Sequence, residues 1–206
     1  MYRPSLFQEE RIDVMHDLMR TYPFAIIVTS GTEGVVANHL PCVLKDGGSE
    51  FGVLHGHVAR ENPIWQESVG GALVIFNGPQ HYITPSWYPS KKEHGKVVPT
   101  WNYAVVHAHG QLCIHDDPDW LRGHLDDLVA QHEAGREQSW AIDDAPEDFV
   151  AAMLKGVVGF EIKIERLEGK WKVSQNRGDI DRGGVVRGLK AEGSPYSAAM
   201  SELIRA

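Results

Sequence analysis

The run Ala72-Leu73-Val74-Ile75-Phe76 is apolar at every position. Such a run predicts a central strand buried on both sides, which Gln80 to Ile83 extend beyond a kink at Gly78-Pro79. Working outward, further strands are predicted over residues 23–29, 35–44, 51–58, 101–115, 157–165 and 170–175. Because strands cluster from residue 24 to 115 and one returns after two helices, we expect a mostly antiparallel barrel with helices outside it, not an alternating βαβ sheet.

Helices and connections complete this arrangement. Helical spacing of apolar residues or a proline at a first turn predicts helices over 13–21, from about Asn62-Pro63, and over 117–132, 146–154 and 197–205. Hairpins are expected across 31–34 and 167–169. The connection over 87–99 is long for a compact domain, which is typical of a functional loop. No stretch has the composition of an interdomain linker, so residues 1–206 are predicted to form one domain.

Composition narrows the class of protein. The chain has 206 residues, with 28 acidic and 20 basic side chains and a net charge of −8. This balance argues against a surface that coats nucleic acid. The two cysteines, Cys42 and Cys113, form no disulfide framework, which favours a reducing compartment. No run is long and apolar enough for a membrane span or a signal peptide, so a cytoplasmic location is expected.

The segment from Gly56 to Tyr103 mixes Trp, Tyr, His, Arg and Asn with Pro and Gly. Such a mixture suits a flat aromatic ligand with an anionic tail, because rings stack, amides and imidazoles form hydrogen bonds, and cations hold a phosphate. Arg60 follows a strand and precedes a helix start, where an anion binds well. Lys91 and Lys92 add positive charge, and loop-like residues surround Trp101. The P-loop, nucleophile-elbow and dinucleotide fingerprints are absent.

Two histidine pairs, His55-x-His57 and His107-x-His109, have the spacing that places both rings on one face of a strand. Imidazoles in this arrangement are able to ligate a metal. No cysteine or carboxylate is interleaved with them, however, so hydrogen bonds to a ligand or to the backbone are the favoured interpretation. No metal site is expected.

Several blocks of sequence resemble the PaiB-type FMN-binding split-barrel family, over residues 1 to about 190. The blocks are Met1-Tyr2-x-Pro4-x-x-Phe7, Gly56-His57-Val58-Ala59-Arg60-x-Asn62-Pro63, Pro85-Ser86-Trp87-Tyr88, Val98-Pro99-Thr100-Trp101-Asn102-Tyr103-x-x-Val106-His107 and Lys172-x-Ser174-Gln175-Asn176-Arg177. The resemblance implies a mainly β fold with peripheral helices (α+β), built as a six-stranded antiparallel split β-barrel. It also implies a homodimer with FMN at the subunit interface.

The resemblance further implies which residues serve the cofactor. Arg60 corresponds to the family's phosphate ligand, residues 37–40 to the strand that faces the flavin ring, and Lys172 through Asn176 to the substrate side. The residues assigned to FMN are Asn38, His39, His55, Gly56, His57, Val58, Ala59, Arg60, Lys91, Lys92, Trp101, Asn102, Lys172 and Gln175. The pyridoxal-phosphate residues of the related oxidases are not matched, so that reaction is not expected.

Three functions remain open at this point. The first is an FMN-dependent oxidoreductase of unknown substrate, in which FMN carries the electrons. The second is a negative transcriptional regulator of the PaiB type; the net charge of −8 and the lack of a helix-turn-helix pattern speak against direct DNA contact. The third is haem binding or breakdown, which the 11 histidines permit.

Overall fold

The computed structural model describes residues 1–32 and 34–205. Within them lie eight strands: β1 Gln8–Glu9, β2 Phe24–Gly31, β3 Gly34–Pro41, β4 Val43–Lys45, β5 Val53–Ala59, β6 Val69–Ile83, β7 Thr100–His115 and β8 Val157–Lys172. They form one sheet in the order β3-β2-β6-β7-β8-β5-β4, with β1 beside β8. The pairs β1–β8, β2–β3, β2–β6, β4–β5 and β5–β8 are antiparallel.

The described residues also form seven α-helices: α1 Ile12–Thr21, α2 Ile64–Glu67, α3 Lys91–His94, α4 Pro118–Glu133, α5 Glu147–Leu154, α6 Asp179–Glu192 and α7 Pro195–Arg205. Helix α4 begins as the sequence predicts, since Asp117 Oδ1 accepts a hydrogen bond from the Trp120 N–H at 2.8 Å and Pro118 occupies the first turn. The predicted class, an antiparallel β protein with helices, is confirmed, although the sheet has eight strands where the resemblance implies six. None of the helices in the described chain combines the length and apolar composition that a bilayer span requires.

Contacts within the chain concentrate in two compact units. The three longest strands, β6, β7 and β8, each have residues in both units. Unit 2 comprises residues 19–76 and 107–167, without residue 33. Its core is made of alternate side chains of the strands, among them Ile27, Leu54 and Phe160, which are at most 2% exposed. Gly56 lies against the Phe160 ring so closely that a Cβ atom would collide with it. The glycine therefore serves packing between β5 and β8.

Unit 1 comprises residues 1–18 and 77–106, and residues from 168 to the end of the described chain. Its core joins a turn of 3₁₀-helix at 85–87 to the two last helices. The buried members are Ile83, Tyr88, Val185, Leu189, Met200 and Ile204. Helix α6 approaches the turn closely, because a Cβ atom at Gly188 would collide with the Trp87 ring. The prediction of a single domain for residues 1–206 stays a prediction.

The hairpin predicted across 167–169 is wrong, because β8 continues without a turn from Val157 to Lys172. Gly169 pairs with Glu9 of β1, and a Cβ atom there would press on the Glu9 backbone. The glycine marks a close approach of two strands, which sequence alone does not distinguish from a turn. The hairpin across 31–34 is confirmed by the pairing of Gly31 with Gly34, while residue 33 of that turn lies outside the described residues.

Other expectations for the strands need smaller corrections. The run Ala72–Phe76 is not buried on both sides: Ala72, Val74 and Phe76 are buried, and the two residues between them are half-buried. It is nevertheless a central strand, with β2 and β7 as neighbours. The strand predicted over 35–44 is interrupted at Cys42 and continues as β4. Helix α6 was not predicted, because Gly183, Gly184 and Gly188 lower the helix propensity of that segment.

Candidate functional site

A cluster of four histidines and one tryptophan lies in unit 2, where β5 packs against α4. His57 Nδ1 and His124 Nε2 are 3.1 Å apart and share a hydrogen bond. The Trp120 ring stacks on His115, with ring centroids 4.3 Å apart and planes within 2°. The His55 ring lies 5.0 Å from Trp120, and its Nε2 is 3.2 Å from a Glu161 carboxylate oxygen. As predicted, His55 and His57 share one face of their strand.

Burial disfavours the charged form of the paired imidazoles. It lowers the pKa of His124 to about 3, with further lowering from the charges of His57 and His55. Burial also lowers the pKa of His57. The pKa of His55 is lowered by burial as well, against the opposing effect of Glu161. The His124 side chain is 2% exposed, and its Nδ1 has no hydrogen-bond partner among the described residues.

The side chain of Arg60, directly after β5, donates four hydrogen bonds inside unit 2. Its guanidinium donates to both carboxylate oxygens of Asp116, at 2.5 and 3.0 Å. It also donates to the carbonyl oxygens of Lys155, at 2.8 Å, and Val157, at 3.0 Å. Neighbouring Ala59 is exposed, while Gly56 and Val58 face the core on the side of β5 opposite to His55 and His57. The assignment of this segment to the FMN phosphate stays a prediction.

Asn38 and His39 lie on β3, at the edge of the sheet. Asn38 Oδ1 accepts a hydrogen bond from Asn62 Nδ2 at 2.7 Å, and Asn62 Oδ1 accepts one from the Ile64 N–H at 3.0 Å. The predicted helix start at Asn62-Pro63 is thus tied to the strand predicted to face the flavin. Asn38 Nδ2 is buried and has no partner among the described residues, so a donor remains there for a ligand.

In unit 1, Trp101 stands in a cleft of about 220 Å³ between β6 and β7. The ring is 49% exposed, and its Nε1 donates to Gln80 Oε1 at 3.0 Å. Tyr82 meets Trp101 edge to face, with ring centroids 6.1 Å apart. The cleft is lined by Asn77, Gly78, Gln80, Trp101, Tyr103, Ala104 and Val105. Two carboxamides, an indole and a phenol therefore surround one open space.

A second polar group occupies the opposite face of β7, since successive side chains of a strand alternate. Asn102 Nδ2 donates to Ser174 Oγ at 2.8 Å, and Lys172 Nζ donates to Thr100 Oγ1. Asn102 is 1% exposed, and its Oδ1 has no hydrogen-bond partner among the described residues. Ser174 has φ of 65°, the one positive φ of a non-glycine residue in the described chain. An unpaired acceptor beside a strained backbone is typical of a functional region.

The remaining predicted residues of unit 1 lie outside both groups. The amide of Gln175 folds back on its own loop, donating to the Trp171 carbonyl at 2.5 Å and accepting from the Val173 N–H at 2.7 Å. Lys91 and Lys92 lie on α3 within the loop predicted to be functional, and their side chains are largely exposed. Strand β8 ends at Lys172, so the strand predicted over residues 170–175 is wrong beyond that residue.

Sequence reasoning missed the partners that α4 and β8 bring to the histidine cluster. Trp120 and His124 stand four residues apart, which places both on one face of α4. That spacing is a usable signal, but it does not say which strand the helix covers. Glu161 is positioned by the β5–β8 register, in which it pairs with His55, and no local pattern contains that information.

Comparison with known proteins adds family and fold. Residues 1–166 match the model of a family described as "Putative FMN-binding domain". A Bacillus subtilis protein called Protease synthase and sporulation protein PAI 2 is 32% identical over 206 residues, which cover 99% of this chain and 96% of that protein. An uncharacterized protein of Emericella nidulans is 33% identical over 242 residues, covering 100% of this chain and 96% of its own.

Among solved structures, the FAD and haem binding protein from Mycobacterium smegmatis matches with a TM-score of 0.57. The match covers 85% of this chain and 78% of that chain, at 16% sequence identity. At this identity the likeness concerns the fold alone.

Proposed function

Since this chain belongs to the family of FMN-binding domains, we propose that it is a homodimeric flavoprotein that uses FMN in an oxidoreduction. The resemblance predicted from the sequence is confirmed by the family match over residues 1–166 and by the full-length relative in Bacillus subtilis. The observation that supports the proposed site is the cleft at Trp101, where an exposed indole stands among two carboxamides and a phenol.

The residues of this cleft fit the ring system of FMN. A flavin is flat and apolar over most of its area and carries N–H donors and carbonyl acceptors along one edge. Trp101 offers a stacking surface, while the amides of Asn77 and Gln80 are able to donate and accept hydrogen bonds. Lys170 brings positive charge to the same unit, with its Nζ 5.3 Å from the centroid of the Tyr103 ring. The donor set is therefore suited to a polar aromatic ligand.

When bound, FMN supplies the electron and hydride chemistry. The chain would bind and orient the cofactor. The indole of Trp101, held by Gln80 and Tyr82, would offer a stacking surface to the ring. The amides of Asn77 and Gln80 would form hydrogen bonds with its polar edge, and Lys172 would add a positive charge on the other face of β7.

An FMN titration followed by fluorescence tests this site. Replacing Trp101 with Ala should weaken FMN binding roughly three- to tenfold, since an aromatic contact contributes ~0.5–1.5 kcal/mol beyond area burial. Trp140→Ala is the matched control, because Trp140 is similarly exposed at 47% and lies in unit 2. Equal FMN affinity in both variants and the wild type would exclude the cleft. A Soret band in place of a flavin spectrum would favour the haem alternative.

The proposed homodimer is supported by the edge strand β3. Its residues from Gly34 to Ala37 are exposed on both faces, and Val35 and Val36 are 75% and 44% exposed. Phe24, on the neighbouring strand, is 64% exposed. An exposed apolar edge strand is an open place for pairing, and natural monomers normally protect such an edge with charge. A second subunit would cover it.

Light scattering combined with size exclusion tests the dimer. Val35→Lys should convert the proposed dimer into monomers at micromolar concentration, because a charged side chain opposes edge pairing. Val98→Lys is the control, since Val98 is 64% exposed but lies outside any strand. A monomeric wild type that still binds FMN would contradict the proposal.

The full-length similarity to the Bacillus subtilis protein supports a second proposed role, in the control of protease synthesis or sporulation. The net charge of −8 favours a regulator that acts through other proteins over one that binds DNA directly. A mobility shift with purified protein at near-physiological salt checks this: sequence-selective DNA binding would overturn the indirect mode.

A further inference from the structure

Helix α5 is apolar but not buried. Six of its eight residues are Phe, Val, Ala, Met or Leu, yet none of them, all described by the structure, is fully buried. Phe149 and Met153, one turn apart on this helix, are 55% and 54% exposed. An amphipathic helix normally buries its apolar side against the protein. This helix leaves much of that side open.

The open side of α5 forms one wall of an apolar groove in unit 2. The groove has a volume of about 150 Å³. It is lined by Leu125, Val129, Trp140, Ile142, Ala145, Phe149, Val150, Met153 and Leu154. No lining residue among these carries a charged or carboxamide side chain. A cavity of ~150 Å³ holds a single benzene-sized group. The groove therefore has room for the ring of one Phe or the side chain of one Leu or Met as an anchor.

The segment that carries this groove is strongly acidic. Residues 117–154 contain 10 acidic and 2 basic side chains, a net charge of −8, which equals the net charge of the whole chain. Subtracting these from the 28 acidic and 20 basic residues leaves 18 of each elsewhere. Both arginines are already paired within the segment, Arg122 with Asp126 and Asp143, and Arg136 with Glu133. Of the excess acidic side chains, Asp127 is paired with Lys45 from outside the segment. The others give the surroundings of the groove a negative charge that a cationic partner would complement.

We propose that this groove, lined by α4, α5 and Trp140, binds a cationic amphipathic helix of another protein. An amphipathic helix inserts apolar residues at i, i+3 or i+4 and i+7 into such a groove. Its lysines or arginines would then meet acidic side chains of residues 117–154, among them Glu147 and Asp148 in the first turn of α5. A second copy of this chain is disfavoured as occupant, because two segments of −8 repel each other. Nucleic acid and anionic membranes are disfavoured by the same sign of charge. Binding of such a helix does not require FMN.

Fluorescence anisotropy with synthetic peptides tests the proposal on the full chain. The probe is a labelled 14-residue helix of leucine and lysine with leucines along one face. Its controls are the scrambled sequence, the same helix with glutamate for lysine, and vesicles of phosphatidylcholine and phosphatidylserine. The leucine–lysine helix should bind about tenfold or more tightly than the scrambled peptide, and its affinity should fall as salt is raised. The glutamate helix and the vesicles should not bind.

Two variants locate the binding surface. Phe149→Ser with Met153→Ser should weaken the leucine–lysine helix about tenfold, and both side chains are exposed enough for the fold to tolerate the change. Glu147→Gln with Asp148→Asn should weaken it severalfold at low salt only. Val98→Ser, at an exposed position outside the groove, is the control and should bind normally. Equal binding by all variants, or equal binding of the scrambled or glutamate peptide, overturns the proposal.

Discussion

Arg60 and Asp116 face each other through two hydrogen bonds, so that the guanidinium and the carboxylate meet edge to edge. The bond to Arg60 holds the pKa of the Asp116 carboxyl below its usual value. The same guanidinium binds the Lys155 and Val157 carbonyls, which lie where the chain enters β8. One side chain thus joins the end of β5 to the chain after β7 and to the start of β8. An anion at Arg60 has to share the guanidinium with Asp116.

Two variants distinguish between two roles of Arg60: binding the FMN phosphate and stabilising the fold. If Arg60 binds the FMN phosphate, Arg60→Ala should weaken FMN roughly ten- to hundredfold and leave riboflavin almost unchanged, because riboflavin lacks the phosphate. Asp116→Asn keeps the cation and removes its competing charge, so FMN affinity should stay equal or rise. Titration of both flavins into both variants measures this. Parallel losses of FMN and riboflavin in both variants would mean that the pair acts through the fold.

Ser174 offers a prediction about strain. Its φ of 65° is unfavourable for a residue with a Cβ atom, at a cost of about 1–2 kcal/mol. Ser174→Gly and Ser174→Ala both remove the hydroxyl that accepts from Asn102, but only glycine relieves the backbone. The free energy of unfolding of Ser174→Gly should therefore be about 1 kcal/mol larger than that of Ser174→Ala, which makes the Gly variant the more stable one. Urea denaturation measures both. Equal stability would show that the left-handed conformation costs nothing here.

The sequence predicted the fold where the signals are local. Continuous or alternating apolar runs located β2, β5, β6 and β7, and a capping aspartate with a following proline located α4. It failed at Gly169, where a glycine that permits close approach of β1 looks the same as a glycine in a turn. It also failed at α6, whose glycines make room for Trp87 at the expense of helix propensity. Both failures come from contacts between residues that are distant along the chain.

The candidate site was predictable to a similar degree. Spacing placed His55 and His57 on one face, and loop chemistry singled out Trp101, which stands in an open cleft. The partners of these residues were not predictable. His124 and Glu161 reach the histidine cluster through helix packing and strand register. The assignment of Gln175 to the flavin stays a prediction; its amide bonds to the backbone of its own turn, a local contact that a strand pattern does not reveal.

The histidine cluster predicts how stability depends on pH. The pKa of His124 is lowered from 6.5 to about 3 in the folded chain. Between these two pH values the ring is protonated in the unfolded chain and neutral in the folded chain. The contribution of His124 to stability is therefore present above pH 6.5 and is lost as the pH falls toward 3. His57, His55, Lys45 and Asp127 also influence this ring.

His124→Gln removes that titration while keeping a polar side chain of related reach. Between pH 7 and pH 5 the wild type should lose about 1–2 kcal/mol more unfolding free energy than the variant, since one histidine contributes at most ~1.4 kcal/mol per pH unit. Denaturation curves at several pH values give the difference directly. His132→Gln, on the same helix, is the control for a general charge effect. If wild type and His124→Gln lose stability in parallel, the ring is not kept neutral by the fold.

Lys172 should tune the reduction potential of the flavin without holding it. Its ammonium lies with Thr100 on the face of β7 opposite to the Trp101 cleft, so it acts on the ring through space. Two unit charges roughly 10 Å apart, at an effective dielectric constant of ~20, interact by about 1–2 kcal/mol. Reduced flavin gains negative charge, so Lys172→Met should lower the midpoint potential of bound FMN and change the affinity for oxidised FMN little. Gln175→Leu is the comparison variant: it removes a neutral amide from the same segment and so separates an effect of charge from an effect of shape. Redox titration with dye equilibration measures both variants.

A potential that stays at the wild-type value in Lys172→Met would remove this residue from the site. A loss of FMN in both variants would show that the segment supports the fold of unit 1 and not the cofactor.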